Sequence, residues 1–245
     1  MQDITKVTPY ETDEESKKGQ VTKMFDRIAP YYDLLNRVLS AGIDVWWRKK
    51  AIGTLKKNSP KRILDVATGT ADLAIEAAKS LHPDHITGMD ISINMLDIGR
   101  QKILKAGLEN IIQLESGDSE NLQYEEGSFD AVMAAFGVRN FENLEKGLKE
   151  MYRVTKDGGM IMVLEFSKPG IFPLKQLFNA YFKFLLPVIG RIKSKDPKAY
   201  KYLYESVQAF PDYNDFTAIL GKAGFKNTRY RALTGGICTI YTGEK

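Results

Sequence analysis

Residues 65–72 read DVATGTAD and are the most informative part of this chain. An apolar run at residues 62–67 leads into them, and an amphipathic pattern over residues 73–80 follows. This order is typical of a buried strand, a turn of small residues and a helix, which together begin a parallel α/β sheet. Ligands of such sheets bind beyond the carboxyl ends of the strands, where this turn is expected to lie.

Short apolar runs alternate with helical patterns along the rest of the chain. Further strands are predicted at residues 85–90, 111–115, 129–134 and 160–165. Two last runs, at residues 225–232 and 236–242, predict an antiparallel hairpin at the sheet edge. The predicted fold class is therefore α/β, a Rossmann-like sheet of seven mostly parallel strands with helices on both faces.

Three regions are expected along the chain. Residues 1–16 are polar and acidic, and we predict a disordered tail there. Residues 17–57 carry apolar residues at helical spacing, interrupted at Pro30, and we predict a helical lid in separate pieces. Residues 58–245 form the predicted ligand-binding domain, which includes an aromatic and basic insert at residues 168–210.

The composition of the chain excludes several classes of protein. Of its 245 residues, 43% are hydrophobic and 27% are charged, which is ordinary for a soluble globular protein. A single cysteine excludes an intrachain disulfide, and two histidines offer little to a metal centre, so we predict no metal site. Neither a run of about 18 uncharged apolar residues nor a secretory signal is seen, so we predict a cytoplasmic protein.

Positive charge is concentrated in one block. Residues 168–205 hold eight lysines and arginines against two acidic residues. Such a block indicates a phosphate-bearing partner, either lipid headgroups or nucleic acid, although a solvated surface has the same composition. Apolar and aromatic residues recur at helical spacing over residues 174–185, so this stretch either rests on a bilayer surface or packs as a helix on the sheet.

Aspartates lie at or near the ends of the first, second and third predicted strands. Asp90 comes about twenty residues after Gly69, the spacing at which a carboxylate accepts hydrogen bonds from ribose hydroxyls. Asp118, next to Ser119, is placed to accept from an adenine amino group, while Asp65 either accepts from an ammonium group or organises the turn. Carboxylates at three strand ends suit a cationic adenosine ligand, and the alternative is that they are helix N-caps.

The series DVATGTAD, GMD, GDS, FDAV and KDGGMIMVLE resembles the class I S-adenosylmethionine-dependent methyltransferases. Two longer stretches, YDLLNRVLSAGIDVW at residues 32–46 and RVTKDGGMIMVLEFS at residues 153–167, are similar to the signatures of the ubiquinone/menaquinone biosynthesis C-methyltransferases. AFGVRN at residues 135–140 and MFDRIAPYYD at residues 24–33 also match that family, so the resemblance covers the chain from residue 20 onward.

The resemblance implies the cofactor, the reaction and the substrate. The implied cofactor is S-adenosyl-L-methionine. The implied reaction is C-methylation of the ring of a demethylated prenyl quinol in menaquinone or ubiquinone biosynthesis, with demethylmenaquinol as the first candidate. A ring carbon becomes nucleophilic when the neighbouring hydroxyl ionises, so the protein must align the reactants and help a phenolic proton to leave. The predicted cofactor-binding residues are Asp65, Gly69, Thr70, Asp90, Asp118 and Ser119.

Three residues are candidates for the chemistry. Arg139 and Asn140 follow the fourth strand, where Arg139 would stabilise a phenolate or polarise a water and Asn140 would orient the hydroxyl. Asp44, in the predicted lid, would take the proton. The alternatives are a salt bridge of Arg139 with Glu142 or Glu145, and a role for Asp44 as the N-cap of the helix that follows it.

Other functions are weighed against the same residues. Ala67 and Ala71 stand where a dinucleotide-binding fingerprint has glycines, which argues against an NAD-dependent oxidoreductase. Taken by itself, the turn is also compatible with a tight connection between strand and helix that binds no ligand. AFGV at residues 135–138 replaces the Asn/Asp-Pro-Pro-aromatic motif of nucleic-acid amino-methyltransferases, so we predict no nucleic-acid partner. An RNA or other small-molecule methyltransferase and a non-catalytic S-adenosylmethionine-binding module remain the alternatives.

The expected partners follow from these interpretations. They are the prenylated quinol and, through the basic insert, the anionic inner face of the cytoplasmic membrane as a peripheral contact. A homodimer is left open.

Overall fold

A seven-stranded sheet forms the centre of the structure, a computed structural model that describes residues 4–10, 15–181 and 197–245. Its strands are β1 (Arg62–Val66), β2 (His85–Asp90), β3 (Ile112–Ser116), β4 (Phe129–Ala135), β5 (Thr155–Phe166), β6 (Lys226–Leu233) and β7 (Cys238–Glu244). Their order is β3-β2-β1-β4-β5-β7-β6, with β1 to β5 parallel and β7 antiparallel to both of its neighbours. The predicted fold class and the edge hairpin are confirmed.

Helices cover both faces of this sheet. They are α1 (Lys17–Leu39), α2 (Ile43–Gly53), α3 (Asp72–Leu81), α4 (Ile93–Ala106), α5 (Leu144–Val154), α6 (Leu174–Ala180), α7 (Pro197–Ala209) and α8 (Asn214–Ala223). Apolar side chains of α2, α3 and α4 form a core on one face, and those of α5 and α8 form a second core on the other. The inner strands β1 and β4 are therefore buried on both sides, which explains their largely apolar sequence, whereas the edge strand β6 is mostly exposed.

The strand order reverses between β1 and β4, and this places the cleft. The connections after β1 and β4 leave in opposite directions and open a crevice at the carboxyl ends of the strands. They also approach each other closely, because a Cβ on Gly137 would lie 2.6 Å from the Cβ of Ala67. Glycine is required at residue 137 for this contact.

The first helix differs from the prediction at Pro30. Instead of breaking there, α1 runs unbroken through the proline from Lys17 to Leu39. A proline inside a helix leaves the carbonyl four residues earlier without its usual donor. Here the side chain of Asn94 donates to that carbonyl, which belongs to Asp26, at 3.3 Å. The contact with α4 offsets part of the cost of the proline, and local sequence could not reveal it.

The expected tail and lid also differ in part from the structure. Residues 4–10 of the expected tail are described and ordered, because Val7 packs against α1 and the ammonium group of Lys17 donates to the carbonyl of Ile4 at 2.8 Å. Within the expected lid, α2 belongs to the core, since Trp47 and Ile52 are buried against the sheet. Of the two described helices in the expected lid, α1 is the one that lies across the cleft.

The insert at residues 168–210 is described only in part. Four of its basic residues lie outside the described ranges, namely Lys183, Arg191, Lys193 and Lys195. Some of its aromatic side chains face inward, because Phe178 and Tyr200 pack together beside Phe166 of the sheet. None of the helices within the described ranges is both long enough and apolar enough to cross a bilayer.

Candidate active site

The turn after β1 is held in a conformation that few side chains adopt. The φ angle is positive at Ala67 (54°), Gly69 (57°) and Ala71 (64°). A non-glycine residue in this region costs roughly 1–2 kcal/mol, so the surrounding contacts must hold the turn. One such contact is the hydroxyl of Thr68, which donates to Oδ2 of Asp65 at 2.6 Å. At Gly69 a Cβ would meet no atom within 4 Å, so space is left beside the turn.

Asp90 ends β2 and faces this turn. Its Oδ2 accepts from the backbone N–H of Gly69 at 2.8 Å, and its Oδ1 accepts from that of Ser92 at 2.9 Å. Burial raises the pKa of Asp90, although these two hydrogen bonds act to lower it. Each carboxylate oxygen has lone pairs left for a ligand, as the prediction of a ribose contact requires.

Asp118 lies beyond β3, beside Ser119. Its Oδ2 accepts from the ammonium group of Lys18 at 2.7 Å, and its Oδ1 accepts from the N–H of Glu120 at 2.9 Å. Burial acts to raise the pKa of Asp118, but the hydrogen bonds from Lys18 and Glu120 outweigh it and hold the pKa below its usual range. Asp118 is thus an ionised acceptor at neutral pH.

These residues surround a small cleft of about 80 Å³, whose wall combines charged and apolar side chains. Four of the six predicted cofactor-binding residues line it, namely Gly69, Asp90, Asp118 and Ser119. The cleft is small because α1 lies across it and contributes Lys18, Val21 and Phe25 to its wall.

Asp65 and Thr70 are not among the described residues that line this cleft. Asp65 is fully buried under the turn, and burial raises its pKa to about 7 in spite of the hydrogen bond from Thr68. Its position fits the turn-organising role rather than contact with an ammonium group. The hydroxyl of Thr70 donates to Asp33 of α1 at 2.6 Å, and its contact with the cofactor stays a prediction.

Three side chains of α1 bind the segments that follow the first three strands. Their spacing of eight and seven residues places them on one face of the helix. The pairs are Lys18 with Asp118 at 2.7 Å, Asp26 with Ser92 at 2.6 Å, and Asp33 with Thr70 at 2.6 Å. Thus α1 is fastened across the carboxyl ends of β3, β2 and β1.

A second and larger cavity, of about 680 Å³, opens beside the cleft. Most of its wall is apolar, with side chains from α1, α2, β5, α6 and α7. Examples are Met24, Ile28, Trp47, Phe166, Leu177 and Phe178. A cavity of this size and character is suited to a bulky apolar ligand that carries few polar groups.

Arg139 lines the large cavity and is paired with Glu165 at the end of β5. Its Nη1 donates to Oε1 of Glu165 at 2.8 Å and to the carbonyl of Phe136, and its guanidinium lies 5.6 Å from the ring centroid of Phe166. Both side chains are almost fully buried, at 7% and 0% exposed. The expected alternative, an ion pair with Glu142 or Glu145, is replaced by this partner on the neighbouring strand.

Asn140 stands where the cleft and the large cavity meet, because it lines both. Its amide nitrogen donates weakly to the carbonyl of Phe136 at 3.4 Å. Its Oδ1 is buried and has no hydrogen-bond donor within the described part of the chain. A buried carbonyl oxygen without a donor is costly, so it is available to a ligand at the junction.

Asp44 also lines the large cavity, and both oxygens of its carboxylate accept hydrogen bonds from neighbouring side chains. It accepts from the hydroxyl of Ser40 at 2.7 Å and from Arg48 at 2.6 Å. Burial acts to raise its pKa, but these hydrogen bonds and the charge of Arg37 hold the pKa below its usual range, so Asp44 is a weak base. The alternative role as an N-cap is wrong, because Gly42 caps α2.

Glu165, Lys18 and Tyr32 belong to the site but were not predicted from the sequence. Glu165 pairs with Arg139, Lys18 pairs with Asp118, and Tyr32 lines both the cleft and the cavity. A signal for Glu165 existed, since it ends a predicted strand as Asp90 does. Among the described residues, no group of three or more His, Cys, Asp or Glu side chains is placed to hold a metal ion.

Residues 12–245 match the profile of the ubiE/COQ5 methyltransferase family. The chain belongs to that family. This confirms the resemblance inferred from the sequence motifs. Within the family, the chain is 47% identical to a demethylmenaquinone methyltransferase of Bacteroides fragilis, over 98% of both chains. It is also 47% identical to a ubiquinone/menaquinone biosynthesis C-methyltransferase of Geotalea daltonii, over 94% of this chain and 98% of the relative.

Solved structures support the fold of this ubiE/COQ5 family member. An S-adenosylmethionine-dependent methyltransferase of Thermotoga maritima superposes with a TM-score of 0.64 at 19% identity, over 91% of this chain and 99% of the other. Another, from Methanococcus maripaludis, gives a TM-score of 0.62 at 21% identity, over 96% of both chains. At such identities the likeness concerns the fold alone.

Proposed function

We propose that this protein transfers a methyl group from S-adenosylmethionine to a ring carbon of a demethylated prenyl quinol, and that demethylmenaquinol is its preferred substrate. The observation that carries the proposal is the junction, at Asn140, of a small cleft that holds the carboxylates of Asp90 and Asp118 with a large apolar cavity. The cleft suits a nucleoside ligand, and the large cavity suits a ring with an apolar tail. Membership of the ubiE/COQ5 family and the names of its relatives support the same reaction.

The residues of the cleft fit S-adenosylmethionine. The turn beside Gly69 leaves open space, and the buried carboxylate of Asp90 retains lone pairs for the ribose hydroxyls. Asp118 is an ionised acceptor suited to the adenine amino group. Ligand pockets usually measure about 300–1,000 Å³, so α1 is expected to move outward when a cofactor enters the smaller cleft.

When bound, S-adenosylmethionine supplies an electrophilic methyl group on a positively charged sulfur. The chain supplies orientation and charge stabilisation. Arg139 would stabilise the negative charge on the quinol oxygen beside the reacting carbon, and Asn140 would accept or donate a hydrogen bond there to fix the ring. A fixed, buried guanidinium is effective in this role because water does not screen it.

The acceptor of the quinol proton is not assigned to Asp44. A carboxylate that accepts from Ser40 and Arg48 and has a lowered pKa would take up a proton poorly at neutral pH. Asp44 instead holds Arg48 in the wall of the cavity.

Methyl incorporation tests the proposed function. Labelled S-adenosylmethionine is incubated with demethylmenaquinol, and the labelled menaquinol is measured, with the corresponding demethylated ubiquinol precursor in parallel. The oxidised quinone is the control, because without an ionisable hydroxyl its ring carbon is not nucleophilic and we expect no labelling. Label in RNA would support the first alternative, and cofactor binding without transfer to any acceptor would support the non-catalytic module.

We also propose a peripheral contact between the basic insert and the anionic inner face of the cytoplasmic membrane, where a prenyl quinol resides. The sequence supports it through the charge of residues 168–205. A homodimer stays a prediction.

Vesicle binding tests the membrane contact. Each surface Lys or Arg contributes about 1 kcal/mol of attraction to anionic lipid, so exchanging Lys193, Lys195 and Lys198 for Gln should weaken binding about a hundredfold. The matched control exchanges Lys56, Lys57 and Lys105 for Gln, which removes equal charge from exposed residues elsewhere. Sedimentation with phosphatidylserine vesicles at low and high salt measures both. Vesicle binding that is unchanged by high salt and by the exchange of the insert lysines would contradict the proposal.

A further inference from the structure

Tyr202, on α7, carries a polar group that the fold leaves unused. Its side chain is 2% exposed and lines the large cavity. The ring packs with Val21 and Met24 of α1, which fix its position. The hydroxyl has no hydrogen-bond partner within the described ranges. A phenylalanine would fill the same space without the cost of a buried hydroxyl.

The unused hydroxyl belongs to a group of similar atoms. Nε of Arg139 and Oδ1 of Asn140 are likewise buried without partners in the described part of the chain. All three residues line the large cavity, and α7 contacts the short helix Val138–Asn140 directly. Unsatisfied polar atoms are rare in protein interiors, and several of them in one mostly apolar wall indicate polar groups of a ligand.

The surroundings of Tyr202 make its hydroxyl a donor. Burial raises its pKa well above the usual range, and the nearby charge of Glu165 adds to this while that of Arg139 acts against it. The phenol therefore keeps its proton at neutral pH, and it can donate to a ligand oxygen.

We propose that Tyr202 is a further substrate-binding residue, whose hydroxyl donates a hydrogen bond to an oxygen of the quinol ring in the large cavity. The inference rests on the proposed function and deepens it. A ring oxygen that becomes negatively charged strengthens this hydrogen bond, so the contact contributes more in the reacting state than in the resting one. Arg139, Asn140 and Tyr202 would then form a polar group within a mostly apolar cavity.

The test is the Tyr202→Phe variant, assayed with a tailless, soluble demethylated quinol. We expect kcat/KM for the quinol to fall at least tenfold, with the affinity for S-adenosylmethionine unchanged. The melting temperature should stay the same or rise, because the fold gives this hydroxyl no partner. A structural hydroxyl would behave in the opposite way, with a lower melting temperature and an unchanged kcat/KM.

Tyr241→Phe is the matched control. Tyr241 is also buried, but its hydroxyl accepts from the backbone N–H of Tyr213 at 2.9 Å, and it lies outside the described lining of the cavity. This variant should lose stability and keep its kcat/KM. If wild-type protein methylates the quinol and Tyr202→Phe does so equally well, the inference alone is overturned. If wild-type protein does not methylate the quinol, the proposed function fails and the inference falls with it.

Discussion

Arg139→Ala is expected to lower turnover about 10²–10³-fold, the usual effect of removing one stabilising donor from a reaction centre. It should also destabilise the fold by about 3–5 kcal/mol, because Glu165 would keep a buried charge without its partner. Burial already raises the pKa of Glu165, and the charge of Arg139 is the main influence that opposes this. Single-turnover methyl transfer and denaturant unfolding measure the two effects.

A double variant separates stability from chemistry. In Arg139→Met/Glu165→Leu both charges are replaced by apolar side chains of similar size, which is often neutral for a buried pair. We expect stability to recover while methyl transfer stays low, with binding of S-adenosylmethionine intact. Recovery of turnover in the double variant would show that Arg139 acts only on the fold.

Arg153 provides the control for these variants. It too is paired with a glutamate, Glu150 at 2.7 Å, but lies outside the described lining of the cleft and of the cavity. Arg153→Ala should leave turnover per folded molecule unchanged.

Asp90→Ala is expected to lower the affinity for S-adenosylmethionine at least tenfold. Hydrogen bonds from ribose hydroxyls to a carboxylate contribute about 1.5–3 kcal/mol each, and both would be lost. The variant also removes the acceptor for the N–H groups of Gly69 and Ser92, so the turn itself should loosen. Isothermal titration calorimetry measures the affinity.

Two companion variants sharpen this test. Asp90→Asn keeps one acceptor oxygen and should lose less affinity than the alanine variant. Asp97→Ala removes a carboxylate from the exposed side of α4, where it pairs with Arg100, and should bind the cofactor normally. Unchanged affinity in Asp90→Ala would rule out the ribose contact.

Much of the cleft could be predicted because its residues follow a simple rule. Asp90 ends β2 and Asp118 lies just beyond β3, and parallel strands bring their carboxyl ends to one edge of the sheet. Thr70 also lies beyond a strand, in the turn after β1, yet its hydroxyl bonds to α1. The direction of its side chain depends on the dihedral angles of the turn, which the sequence does not show. The ion-pair partner of Arg139 could not be predicted from the residues next to it in the sequence, because Glu165 lies 26 residues away on the adjacent strand.

The sequence by itself determined the sheet, the edge hairpin and the family. These depend on short-range periodicity and on motifs of a few consecutive residues, which folding does not alter. Only the tertiary structure decided that α1 continues through Pro30, that Asp44 is a weak base, and that an apolar cavity adjoins the cleft at Asn140. Such features arise where residues far apart in the chain meet, because burial, pairing and hydrogen bonding set the cost of each buried polar group.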